Sequence, residues 1–152
     1  MNLKNYTSST PAHTTIASIE AYLAACDVSG ISKQIEGGQV VALFFHIDLG
    51  DKKFTIRLPA KIAEVQEYLW RDYLATRTRH AKKKEDFLDQ AARTAWKIQQ
   101  DWVQVQMSLI KLKQVDFLEV FMGFVYDGQQ SYYNRIKGGG FKQLTLGKSN
   151  ET

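Results

Sequence analysis

Residues 41–59 read VALFFHIDLGDKKFTIRLP, and the alternation within them decides the architecture. Val41, Leu43, Phe45, Ile47 and Leu49 occupy one side of a period-two pattern, and Phe54, Ile56 and Leu58 one side of the next. A two-residue turn at Gly50-Asp51 pairs Leu43 with Leu58, Phe45 with Ile56 and Ile47 with Phe54 on an inner face. The same register sets Phe44 by Arg57, His46 by Thr55 and Asp48 by Lys53 on the outer face, and the opposite charges of the last pair support it. The stretch is predicted to be a β-hairpin.

Upstream, Ile31 to Glu36 supplies a further strand. At Glu36-Gly37-Gly38 a two-residue loop aims Ile35 at the wrong face, whereas a three-residue loop with a bulge aims it inward, and the bulge is expected. Before it, Ile16, Ile19 and Leu23 give a short amphipathic helix capped at Thr14 or Thr15 and stopped by Ser29-Gly30, with glycine in the left-handed position. Residues 1–13 are polar and read as a flexible lead-in that contributes little to the core.

Downstream, Pro59 closes the third strand and suits a first helical turn. Ile62, Val65, Leu69 and Tyr73 then form the stripe of a second helix, with Trp70 beside it. From Leu88 to Leu112 the residues Leu88, Ala91, Ala95, Ile98, Trp102, Val105, Leu109 and Leu112 alternate spacings of three and four, which predicts one long amphipathic helix. Trp96, Val103 and Ile110 recur every seven residues beside that stripe. They serve either core packing or a homodimer seam along helix 86–113.

Asp116 and Glu119 have capping-box spacing and open a fourth helix carrying Phe117, Val120, Phe121, Phe124 and Val125, ended by Gly128. A helical turn from Ser131 to Lys137 precedes Gly138-Gly139-Gly140 and a polar tail. The expected fold is α+β: an N-terminal helix, a three-stranded antiparallel sheet, then three to four helices including one long one. A single domain at 14–137 is flanked by the lead-in and by a flexible tail at 138–152. In topology alone, the first five elements follow the order of double-stranded RNA-binding domains, but the Lys-rich helix start found there is reduced to Lys61.

The chain has 152 residues, enough for one core that buries roughly 70% of the unfolded surface. With 44% hydrophobic and 24% charged residues it has globular composition. Twenty Lys+Arg against sixteen Asp+Glu give a net charge of +4, a weak bias toward anionic partners. One cysteine, Cys26, excludes an internal disulfide framework and a Cys-x-x-Cys zinc set, and a packed thiol is its expected role. No apolar run is long enough for a membrane span, so a soluble cytoplasmic protein is expected.

For catalysis the sequence offers little. His13, His46 and His80 lie apart, so no metal set is expected. There is no phosphate loop of the Walker type and no nucleophile elbow. Asp86 with Asp89, or Asp101 beside Trp102, sit among lysines and arginines as a solvated face does. Neither enzymatic activity nor a cofactor is expected.

Binding features are richer. Arg77, Arg79, His80, Lys82, Lys83 and Lys84 concentrate positive charge and suit contact with DNA or RNA phosphates, or serve as a solvated helix connection. Phe44 shares a strand face with Arg57 and suits base stacking beside a phosphate, unless a helix covers it. Tyr132, Tyr133, Arg135 and Lys137 form a second aromatic and basic patch, and with Trp70 offer material for a concave pocket.

The segments Phe54-Thr55-Ile56-Arg57-Leu58-Pro59-Ala60, Arg93-Thr94-Ala95-Trp96-Lys97-Ile98 with Trp102, and Glu119-Val120-Phe121 resemble a group of short accessory proteins of tailed phages and prophages. The resemblance runs from about Ile16 to Phe141. It implies a small non-structural viral protein made in the bacterial cytoplasm, serving phage DNA metabolism or blocking a host defence. The expected function is non-enzymatic binding of nucleic acid through the basic segment. The alternative is inhibition of an anti-phage defence, by binding a host protein or by sequestering a signalling nucleotide.

Overall fold

The computed structural model describes residues 2–76, 79 and 81–147. An N-terminal helix α1 (Ala12–Ala24) leads into three strands, β1 (Ser29–Glu36), β2 (Gln39–Leu49) and β3 (Lys52–Pro59). Helices α2 (Ile62–Leu74), α3 (Leu88–Lys111), α4 (Phe117–Phe121) and α5 (Tyr132–Gly138) follow. The sheet is antiparallel in the order β1-β2-β3, and the fold is α+β with one long helix, as the patterning predicts.

The β2–β3 hairpin has the expected register. Leu43 faces Leu58, Phe45 faces Ile56 and Ile47 faces Phe54, while Phe44–Arg57, His46–Thr55 and Asp48–Lys53 lie on the other side. Leu43, Phe45, Ile56 and Leu58 are fully buried. At about 1.5–3 kcal/mol per buried side chain, slipping this register by one residue would forfeit the main part of the core. Phe45 meets Phe121 of α4 edge-on at 5.3 Å, and Trp96 of α3 donates its indole N–H to the Val40 carbonyl at 3.0 Å, so helices cover the inner face.

The β1–β2 loop has two residues, Gly37 and Gly38, both left-handed, between the paired Glu36 and Gln39. Register irregularities fall at Ser29/Ser32 and at Gln34/Ile35, and Ile35 is 64% exposed rather than turned inward. Helix α1 starts at Ala12 and ends at Ala24, and the left-handed residue after it is Asp27. Gly30 instead lies in β1 at φ +61°, where a Cβ would stand 2.5 Å from Cδ2 of His46. Pro59 is the last strand residue, and α2 begins at Ile62.

On α3 the buried face is rotated from the expected stripe. Ala91 and Ala95 are buried as expected, but Leu88, Val105 and Leu112 are exposed. The flanking Trp96 and Val103 are fully buried instead, joined by Ala92 and Met107. The seam that the sequence offers to a dimer therefore packs within this domain, in part against α1 and α2.

The lead-in is also tied down. Thr94 Oγ1 donates to the Asn5 carbonyl at 2.9 Å, Gln90 Nε2 to the carbonyls of Tyr6 and Ser8, and Arg93 Nε to Ser8. Asn5 Nδ2 and the Lys4 ammonium converge on Asp101 at 2.8 and 3.2 Å, and Leu3 packs against the core. Burial pushes the Asp101 carboxyl up, but these two donors outweigh it and hold it below the usual range.

The fourth helix is shorter than expected. Asp116 N–H donates to Glu119 Oε1 at 3.3 Å at its start, yet α4 stops at Phe121 and a 3-10 turn (Met122–Phe124) follows. Val125 then bridges Ile56, and Tyr126 N–H donates to the Thr55 carbonyl at 2.8 Å. Residues 125–126 thereby cover part of the β3 edge whose N–H and C=O groups would otherwise be unpaired. The tail is structured at its start: α5 includes Gly138, Phe141 N–H donates to the Ile136 carbonyl at 3.0 Å, and a 3-10 turn spans Lys142–Leu144. Among the described residues no helix is long and apolar enough to cross a membrane.

Candidate functional site

The arm formed by residues 122–134 passes over the outer face of the sheet and leaves a cavity of about 670 Å³ beneath it. One wall is strand and strand exit, with Gln34, Arg57, Pro59 and Lys61. The opposite wall is the arm, with Gly123, Phe124, Tyr126, Gln129, Gln130, Ser131, Tyr133 and Asn134. Among the described residues the lining holds two cationic side chains and no Asp, Glu, His or Cys.

Local rules explain each wall. Gln34 and Arg57 point to the same face because they occupy the register rows of Ala42 and Phe44, both on the outer side of β2. Ala42 is small and fully buried, which lets Arg57 reach over it, and Arg57 Nε donates to Gln34 Oε1 at 3.0 Å. Gln34 Nε2 donates onward to Glu36 at 2.8 Å, which fixes the amide's orientation. Among the described residues the terminal nitrogens of Arg57 have no protein acceptor, and neither Arg57 nor Lys61 has a carboxylate within 4.0 Å.

The arm is shaped by Asp127. Its Oδ1 accepts from the backbone N–H groups of Gln129 and Gln130, both at 2.8 Å, and its Oδ2 pairs with Arg135 of α5. The N–H donors of Gln130 and Gln129, then the Arg135 guanidinium, lower its pKa to about 2. Ser131 Oγ caps α5 by accepting from Asn134 N–H at 3.1 Å. Tyr126 rests its ring against Phe44 at 5.6 Å, and Phe124 rests against Trp102 at 5.7 Å, so both are backed by other aromatic rings.

The structure separates the expected site residues into two groups. Arg57 and Tyr133 meet in the cavity, and Phe44 lies half-buried beside it, under Tyr126. Arg135 stands behind the arm, committed to Asp127, while Tyr132 and Lys137 are exposed on α5. Trp70 is elsewhere, in a cluster with Tyr73 at 5.8 Å and Phe87 at 6.1 Å, with the Lys82 ammonium 5.7 Å from the Phe87 ring. Lys84 and Arg71 both pair with Glu67. The Lys84 hydrogen bond, then that of Arg71, holds the Glu67 carboxyl below its ordinary range.

Arg79, Lys82 and Lys83 are exposed, and Arg77 and His80 lie outside the described residues. Lys61 precedes α2, whereas Lys84 pairs with Glu67 within that helix and the Lys82 backbone N–H donates to the Tyr73 hydroxyl near its end. Arg79, Lys82, Lys83 and Lys84 do not line the cavity that Arg57 and Lys61 share. Sequence reasoning missed Gln34, Lys61, Gln129, Gln130 and Asn134. No local signal marks them, because the cavity exists only through the pairing of Val125 with Ile56.

A smaller hollow of about 360 Å³ lies between the start of α1, Gly38 and α3. Its cation, Arg93, already donates to Ser8 and Gln90, and Asp89 shares the lining. Among the described residues no group of three or more His, Cys, Asp or Glu is placed to hold a metal ion. No family profile, curated protein or solved structure matches the chain.

Proposed function

We propose that this chain is a binding protein whose ligand is a small organic anion, held in the cavity between β3 and the arm. The observation that carries this reading is Arg57, a half-buried guanidinium braced by Gln34, with its terminal nitrogens unpaired and no carboxylate in the lining among the described residues. A guanidinium fork of this kind suits a phosphate or carboxylate group. The cavity volume falls in the range of about 300–1,000 Å³ typical of small-molecule sites. Among the described residues the lining carries no Asp, Glu, His or Cys, which favours retention of the ligand over its conversion. Beside the resemblance to tailed-phage accessory proteins, retention without turnover suits the withdrawal of a soluble anionic signal from a host defence.

The test is a thermal-melt panel of pyrophosphate, sugar phosphates, nucleotides and short oligonucleotides. A ligand at a hundred times its Kd adds about 2.7 kcal/mol of stability. Small phosphates are expected to raise the Tm, and Arg57→Gln to abolish the shift. A second reading, contact with DNA or RNA, is supported by the exposure of Arg79, Lys82 and Lys83, whose side chains form no salt bridge among the described residues. A shift with oligonucleotides alone, steeply salt-dependent and lost when those three are changed to Gln, would favour it over the first.

A further inference from the structure

We infer that the anion carries a flat heteroaromatic ring, and that Tyr133 is the residue that selects it, making the ligand class nucleoside phosphates. This rests on the reading of the cavity as an anion site and adds which chemistry the rest of the lining recognises.

The aromatic side chains of the cavity are not equivalent. Phe124 and Tyr126 are backed by Trp102 and Phe44, and the Tyr126 hydroxyl donates to the Gly128 carbonyl at 3.0 Å. Both are spent on holding the arm to the body. Tyr133 is 52% exposed on the first turn of α5, with its ring 6.1 Å from Phe141. A Cβ built on Gly123 would meet Tyr133 Cβ at 3.8 Å, an ordinary van der Waals contact, so Tyr133 packs beside the 122–124 turn. A large ring left half in water, in a cavity whose cations Arg57 and Lys61 have no carboxylate within 4.0 Å among the described residues, offers a stacking face. The side-chain amides of Gln129, Gln130 and Asn134 line the same wall and make no hydrogen bond to protein among the described residues. Amides present a donor and an acceptor together, which matches the mixed edges of a nucleobase and not the all-acceptor surface of a bare phosphate.

Arg57 and Lys61 would therefore take the phosphate, and Tyr133 with the amides the base. Base–aromatic stacking is worth on the order of ten-fold in affinity or more.

Calorimetric titration of the full chain at fixed ionic strength tests this, using each nucleoside 5′-monophosphate, the parent nucleosides, ribose 5-phosphate and pyrophosphate. At least one nucleotide is expected to bind about ten-fold or more tighter than ribose 5-phosphate. Tyr133→Leu, at an exposed position, should bring that nucleotide to the ribose 5-phosphate level and leave ribose 5-phosphate unchanged. Equal binding of nucleotide and ribose 5-phosphate, or no effect of Tyr133→Leu, overturns the ring inference and leaves the anion site standing. A nucleoside binding as tightly as its nucleotide, or no binding of any phosphate, overturns both.

Discussion

Arg57 on β3 donates to Gln34 on β1 at 3.0 Å, across the strand that separates them. Two strand spacings come to about 10 Å, a span that a guanidinium crosses only over a small residue. Ala42 provides that gap in β2, opposite both Gln34 and Pro59. The sheet thus holds a cation at the floor of the cavity without neutralising it.

Gln34→Ala should weaken ligand binding without unfolding the protein. The loss expected is about 2- to 12-fold, corresponding to a net hydrogen bond of about 0.5–1.5 kcal/mol. It should be smaller than the loss caused by Arg57→Gln. Calorimetry on the two variants checks the order, and equal affinity for Gln34→Ala and the parent chain would show that Arg57 needs no brace.

The arm should carry a pH dependence of its own. Asp127 has its pKa lowered from the ordinary 3.8 to about 2. A depressed carboxylate contributes stability that is full above the unfolded pKa and fades as pH falls through the folded one. The stability difference between the parent chain and Asp127→Ala should hold from neutral pH to about 5, then shrink between about 4 and 2. Denaturant melts across that range measure it. A difference that persists undiminished at pH 2 would mean that the carboxylate charge is not what orders residues 127–135.

Gly30→Ala should destabilise for two reasons, its left-handed φ and a Cβ 2.5 Å from the His46 ring. A cost of about 1–3 kcal/mol is expected from overpacking. Adding His46→Ala removes the clash and should recover part of it, leaving the backbone term. If the double variant is less stable than the sum of the singles, the close approach is not the cause.

Trp96 joins α3 to the sheet, fully buried with its indole N–H on the Val40 carbonyl. Trp96→Ala should cost about 3–5 kcal/mol and leave a cavity. Trp96→Phe should cost less, about 1–3 kcal/mol for the orphaned carbonyl. Urea melts give both values, and a Trp96→Ala cost below that of Val105→Ala would contradict the rotated face of α3.

What was legible in the sequence follows physical reach. The β2–β3 register was readable because alternation and the Asp48–Lys53 pair act between neighbours joined by two residues. The existence of α3 was readable for the same reason, but its buried face was not. Two apolar rows run along it, and the choice between Trp102–Val105 and Trp96–Val103 depends on what α1, α2 and β2 present. Ile35 was misplaced because a two-residue glycine turn and a bulge nearby have opposite effects on its face. At the site, Arg57 and Tyr133 were readable as chemistry. Their meeting was not, since it depends on a strand edge capturing residues some seventy positions later. The same long-range placement divided Trp70 and Lys82 from them.

The central claim, that the Arg57 cavity is the anion site, is tested most directly by NMR titration of the labelled chain with pyrophosphate, following the Arg57 Nε–Hε resonance. A saturable shift is expected there and in the backbone amide of Lys61, with Lys82 and Lys83 unmoved. Saturable shifts at Lys82 and Lys83 with Arg57 silent would contradict it.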